Sequence, residues 1–159
     1  MASAVLVLLL AAAAPLIAMG TEIWPGLPPC ALCLWQRWPY WAAAGLAGVA
    51  VFAAGRGRAV LIGLAGVAAL ASGAIAVLHL GVEWGWWPSP LPGCAAPTLR
   101  PGASIEDLLR AMPATPAKPC DAPTFLIPGL PVSMAGMNLI YALGLGALAF
   151  ALARREREA

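Results

Sequence analysis

The chain has 159 residues, of which 62% are hydrophobic and only 10% charged, and its mean hydropathy is +0.84. A soluble domain carries about 25% charged residues, so this composition excludes an ordinary soluble globular protein. The net charge of +2 is too small, and its charges too clustered, to argue for nucleic acid.

Four apolar runs in chain order reach the length of about 20 residues that a helix needs to span a bilayer. They cover about residues 2–20, 38–54, 59–81 and 132–153. The first is read as a span and not as a secretory leader, because no Lys or Arg precedes it. The second begins among Trp35, Trp38, Tyr40 and Trp41, amphipathic aromatics of the kind that sit at a membrane interface. Pro39 fits the first turn of that helix, where its missing N–H is not needed. Small residues one turn apart, Ala69 with Gly73 and Ala44 with Gly48, suit close helix packing. The expected fold is therefore all-α, a four-helix transmembrane bundle forming a single domain over residues 1–159.

Lys and Arg in short loops mark the cytoplasmic side. Arg56 and Arg58 lie between the second and third spans, and Arg154, Arg155 and Arg157 follow the fourth. Both groups fall on one side, with both termini. The opposite side carries loops of about residues 21–37 and 82–131, and hence all four cysteines, Cys30, Cys33, Cys94 and Cys120. In a bacterium that side is the periplasm, where disulfides persist.

The longer loop is rich in Pro and Gly, which excludes regular structure over most of it. One short helix is expected inside it. Ser104 and Asp107 fit a capping box, Ile105, Leu108, Leu109 and Met112 share one face, and Pro113 ends it. Too short to stand alone in water, it belongs on the membrane surface or against the bundle. Cys94 and Cys120 flank it on Pro-rich arms that are free to swing.

Cys30 and Cys33 form a Cys-x-x-Cys pair followed by Gln36 and Arg37. Such a pair is a redox or metal motif before it is a packing motif. Arg37 lies one helical turn beyond Cys33, where a cation stabilises a thiolate. Four cysteines can also bind zinc, although a second closely spaced pair is missing. Haem attachment is excluded, because Leu34 and not His follows the second cysteine. A static loop disulfide, a snorkelling Arg37, a merely packed His79 and a solvated Glu83 are the plainer readings. Two cysteine pairs on one face of a membrane suit the movement of electrons between thiols and a lipid-dissolved acceptor.

Pro29-Cys30-Ala31-Leu32-Cys33-Leu34-Trp35-Gln36-Arg37 resembles the first periplasmic loop of the disulfide-bond formation protein B (DsbB) family. His79-Leu80-Gly81-Val82-Glu83, Trp87-Pro88-Ser89-Pro90 and Cys94 resemble the approach to its third cysteine. Cys120-Asp121, Phe125-Leu126 and Leu130 to Asn138 resemble its fourth cysteine and the start of its last span. Ile127-Pro128-Gly129 departs from the usual run there.

The resemblance implies an inner-membrane thiol:quinone oxidoreductase that reoxidises a periplasmic thioredoxin-fold dithiol oxidase, DsbA-like, and passes electrons to the ubiquinone or menaquinone pool. Such an oxidase is too strongly oxidising to be restored by glutathione, so the acceptor must be stronger. By resemblance, Cys94 forms the mixed disulfide with the partner, and Cys120 is its disulfide mate and exchanges with Cys30. Cys33 is the thiolate that meets quinone, Arg37 lowers its pKa and binds a quinone oxygen through its fixed fork, and His79 is a further cofactor-binding residue. No metal is implied. The alternatives are a vitamin K epoxide reductase-like enzyme, in which the Cys-x-x-Cys comes later in the chain, and a non-catalytic scaffold with structural disulfides.

Overall fold

The computed structural model describes residues 1–24, 26–91, 94, 104, 106, 118–127 and 129–158. Five helices are described: α1 (Ala2–Ile23), α2 (Ala31–Trp35), α3 (Arg37–Phe52), α4 (Gly55–Glu83) and α5 (Met134–Glu158). No strand occurs among the described residues. The short helix expected after Ser104 lies outside the described residues, apart from Ser104 and Glu106.

Three helices, α1, α4 and α5, are long and apolar enough to cross a membrane. The second expected span is realised as α3, whose 16 residues reach about 24 Å, short of a hydrocarbon core of about 30 Å. The preceding turn of helix α2 meets α3 at Gln36, which ends one helix and begins the other. Pro39 sits in the first turn of α3, where it displaces no helical hydrogen bond.

The core is built on alanine. Ala4 and Ala11 of α1, Ala43 and Ala47 of α3, Ala65 and Ala69 of α4, and Ala142 and Ala149 of α5 are all buried. Leu6, Leu9, Ile17, Val67, Ile140 and Leu143 point outward instead. Small residues inside and large apolar ones outside reverse the soluble pattern and suit helices packing in lipid.

Helices α4 and α5 run antiparallel with their backbones close together. A Cβ on Gly66 would lie 3.0 Å from Ala149 Cβ, and one on Gly73 would lie 3.1 Å from Ala142 Cβ. Ala69, one turn before Gly73, is fully buried in the same seam, as its spacing suggests. Ala44 is buried too, while Gly48 only grazes Leu8 of α1. Arg58 donates to Glu156 at 3.2 Å, tying the start of α4 to the end of α5. Both arginine groups therefore share one end of the bundle. Cys30, Cys33, Cys94 and Cys120 share the other, where Trp24, Trp35, Trp38, Trp84 and Trp86 are exposed. Exposed tryptophans there are the mark of a membrane–water boundary.

Candidate functional site

Cys30 and Cys33 form a disulfide with Cα atoms 5.1 Å apart, and Cys94 and Cys120 form another at 4.8 Å. Cys30 caps α2, its sulfur accepting from the Cys33 N–H at 3.1 Å. The two disulfides are packed together. Cys30, Cys94 and Cys120 form one buried cluster with Leu32 and Val82, and Cys33 lies against it. The Cys120 N–H donates to the Cys94 carbonyl at 3.3 Å. Just beyond Cys120 the chain is tied back, with the Thr124 carbonyl accepting from Met134 at 2.8 Å. The two cysteines expected on swinging arms are buried in this arrangement: Cys94 is 3% exposed and Cys120 is 0% exposed.

A cavity of about 240 Å³ opens between α1, α3 and α5. Its walls are largely apolar, from Pro15, Ile17, Leu126, Met134 and Tyr141, with Cys33, Gln36, Arg37 and Asn138 contributing polar groups. Arg37 Nη2 is ion-paired with Glu22 at the end of α1. Its Nε is buried and has no hydrogen-bond partner among the described residues. The Arg37 guanidinium is the one cationic group among the lining residues, so a ligand bearing an acceptor oxygen fits this place. A quinone ring, apolar and flat with carbonyl oxygens at its edge, suits both the walls and the donor.

His79, expected as a cofactor-binding residue, does not line this cavity. It is 3% exposed and sits under the first disulfide, with Nε2 3.6 Å from Cys30 Sγ. Its Nδ1 lies 3.0 Å from Gln36 Nε2. Glu83, read as solvated, is instead buried: its side chain is 4% exposed, 3.8 Å from His79 Nε2, and accepts from Ser133 Oγ at 2.6 Å. The sulfurs of Cys30 and Cys33 and the His79 ring lie within 4.8 Å of one another. Both sulfurs are bonded to each other here, so they are not free metal ligands.

Sequence spacing missed a second group of residues. Asn138 Nδ2 donates to Gln36 Oε1 at 2.9 Å and to Ser72 Oγ at 3.2 Å. Ser72 donates to the Gln36 carbonyl at 2.8 Å, and Tyr40 to Asn138 Oδ1 at 2.8 Å. Polar residues within apolar helices were the available signal, since such groups are expensive in lipid and seldom idle.

A bundle of apolar helices holding two adjacent disulfides at one end defines a membrane protein of thiol–disulfide chemistry. The sequence matches the family described as disulfide bond formation protein DsbB over residues 2–152, and the chain belongs to that family. It is a membrane protein of the oxidoreductase type that forms disulfides. No curated protein and no solved structure matches it.

Proposed function

We propose that the protein is a thiol:quinone oxidoreductase of a bacterial inner membrane, with its four cysteines facing the periplasm. It reoxidises a DsbA-like thioredoxin-fold dithiol oxidase and delivers the electrons to ubiquinone or menaquinone. The observation that carries this reading is the position of Cys33, which packs against the disulfide cluster and also lines the cavity. One sulfur thus joins a protein-facing disulfide to a lipid-side pocket.

The reaction begins when a thiolate of the reduced partner attacks Cys94. The Cys94–Cys120 bond breaks and Cys120 leaves as a thiolate. Cys120 then attacks Cys30, with which it shares the buried cluster. The Cys30–Cys33 bond breaks, and Cys33 leaves as a thiolate at the cavity, where the Arg37 cation favours that form. The partner's second thiol, losing its proton, displaces Cys94 and departs as the oxidised disulfide. Cys94 thiolate attacks Cys120, restoring Cys94–Cys120 and releasing Cys30 as a thiolate. Arg37 and the apolar walls would hold a quinone here, which would supply the terminal acceptor for two electrons and two protons. As those electrons leave, Cys30 and Cys33 are joined again. The net exchange is one dithiol oxidised for one quinone reduced.

Thiol counting tests this directly. With excess reduced thioredoxin-fold dithiol and no quinone, the protein should gain free thiols, and adding quinone should remove them. A chain whose two disulfides remain closed throughout would be a scaffold with structural bonds.

A further inference from the structure

A chain of hydrogen bonds leads from the Gln36 backbone to the Cys30 sulfur, and its direction is set at one end. A backbone carbonyl only accepts. The Ser72 hydroxyl, 2.8 Å from the Gln36 carbonyl oxygen, must therefore spend its single hydrogen there. Ser72 Oγ is left as an acceptor toward Asn138, which turns its Nδ2 to it at 3.2 Å. The same Nδ2 meets Gln36 Oε1 at 2.9 Å, so Gln36 presents its own Nε2 to His79 Nδ1 at 3.0 Å. An amide nitrogen only donates, which makes Nδ1 the acceptor nitrogen of the ring and leaves the hydrogen of neutral His79 on Nε2. The surroundings of Nε2 agree. They are Cys30 Sγ at 3.6 Å and the Glu83 carboxyl at 3.8 Å. Both can accept.

We propose that Gln36, Asn138 and Ser72 are positioning residues that lock His79 as its Nε2–H tautomer, making the ring a fixed hydrogen-bond donor to the Cys30 sulfur. This deepens the thiol:quinone reading and rests on it for the claim that Cys30 reacts. The chemistry of the exchange calls for a donor here. When Cys94 thiolate attacks Cys120, the Cys120–Cys30 bond breaks and its electron pair stays on Cys30. Cys30 is released as a thiolate with no proton to remove, so a base beside it has no task. An N–H aimed at the sulfur stabilises that leaving thiolate until it rejoins Cys33. A histidine free to choose its tautomer would present a lone pair to the sulfur part of the time and repel it. The Gln36–Asn138–Ser72 chain removes that choice.

His79 is the only histidine in the chain, so selective ring labelling with nitrogen-15 reports it alone. In the full-length protein in lipid nanodiscs at neutral pH, Nδ1 should give the signal of an unprotonated nitrogen and Nε2 that of a protonated one. Gln36→Met and Asn138→Leu should each turn this into a mixture of tautomers. A second readout uses Cys30 as the sole cysteine, the other three being Ala, and follows its alkylation at neutral pH. His79→Leu should slow it about tenfold, while His79→Gln, which keeps an N–H near the Nε2 position without a basic nitrogen, should slow it less than about threefold. A hydrogen on Nδ1, a doubly protonated ring, an unaltered tautomer in Gln36→Met, or a Gln variant as slow as the Leu variant would overturn the proposal. None of these readouts uses quinone or partner. Failure of quinone reduction would count against the oxidoreductase reading alone, and a wrong tautomer against this one alone.

Discussion

Arg37 and Glu22 form an ion pair that ties the start of α3 to the end of α1, at the cavity that Cys33 lines. The electrostatics beside Cys33 are thus set by two helices and not by the Cys-x-x-Cys motif alone. Replacing Arg37 by Ala should raise the apparent KM for quinone at least about tenfold, since it removes a charge-assisted donor. Thermal stability should fall little, because both partners are partly exposed, at 15% and 29%, and such pairs contribute about 0–1 kcal/mol. Lys should restore only part of the function, lacking the guanidinium fork. Steady-state quinone kinetics beside a melting curve check all three.

Glu22→Gln should act in the opposite sense on Cys33. It keeps Arg37 and removes the carboxylate that offsets its charge, so the thiolate is favoured. In protein carrying Cys33 as its sole cysteine, alkylation below pH 8 should quicken severalfold. A slower reaction would show that Glu22 serves to hold Arg37 in place and not to temper it.

Partner trapping separates the two loop cysteines. Offered the oxidised partner, whose disulfide supplies the oxidant, Cys120→Ser protein should form a mixed disulfide through Cys94 that Cys120 can no longer resolve and that accumulates on a non-reducing gel. With Cys94→Ser no adduct should form. Because Cys94 is only 3% exposed, adduct formation should also be slow. Equal trapping by both variants would reverse the assignment of the two cysteines.

The α4–α5 seam has no room for a larger side chain. Gly66→Leu or Gly73→Leu must displace Ala149 or Ala142, whose Cβ atoms already lie 3.0 and 3.1 Å from where a Cβ would stand. A loss of about 1–3 kcal/mol is expected for each, read by denaturation in detergent. Gly144, which has nothing near it, should accept Ala at no comparable loss.

Much of this was legible in the sequence, for local reasons. Apolar runs revealed α1, α4 and α5 because hydropathy is additive along a helix, and Cys30, Cys33 and Arg37 announced themselves by short spacing. The ends were less legible. α4 continues to Glu83, two residues past the apolar run, because Ser133 and His79 receive the Glu83 carboxyl inside the protein. The Gln36–Asn138–Ser72–His79 chain could not be read at all. Its hydrogen-bonded pairs stand 36 to 102 residues apart, and only the crossing of α3, α4 and α5 brings them together. Glu22 was hidden for the same reason, since its partner begins another helix.

The most direct test of the central claim is anaerobic quinone reduction in purified protein, followed by quinone absorbance as a reduced thioredoxin-fold dithiol is added. One quinone should be consumed per dithiol oxidised, the reaction should stop in Cys33→Ala, and Cys94→Ser should block only the protein dithiol. Oxidation of the dithiol without loss of quinone, or no oxidation while both disulfides stay closed, would contradict it.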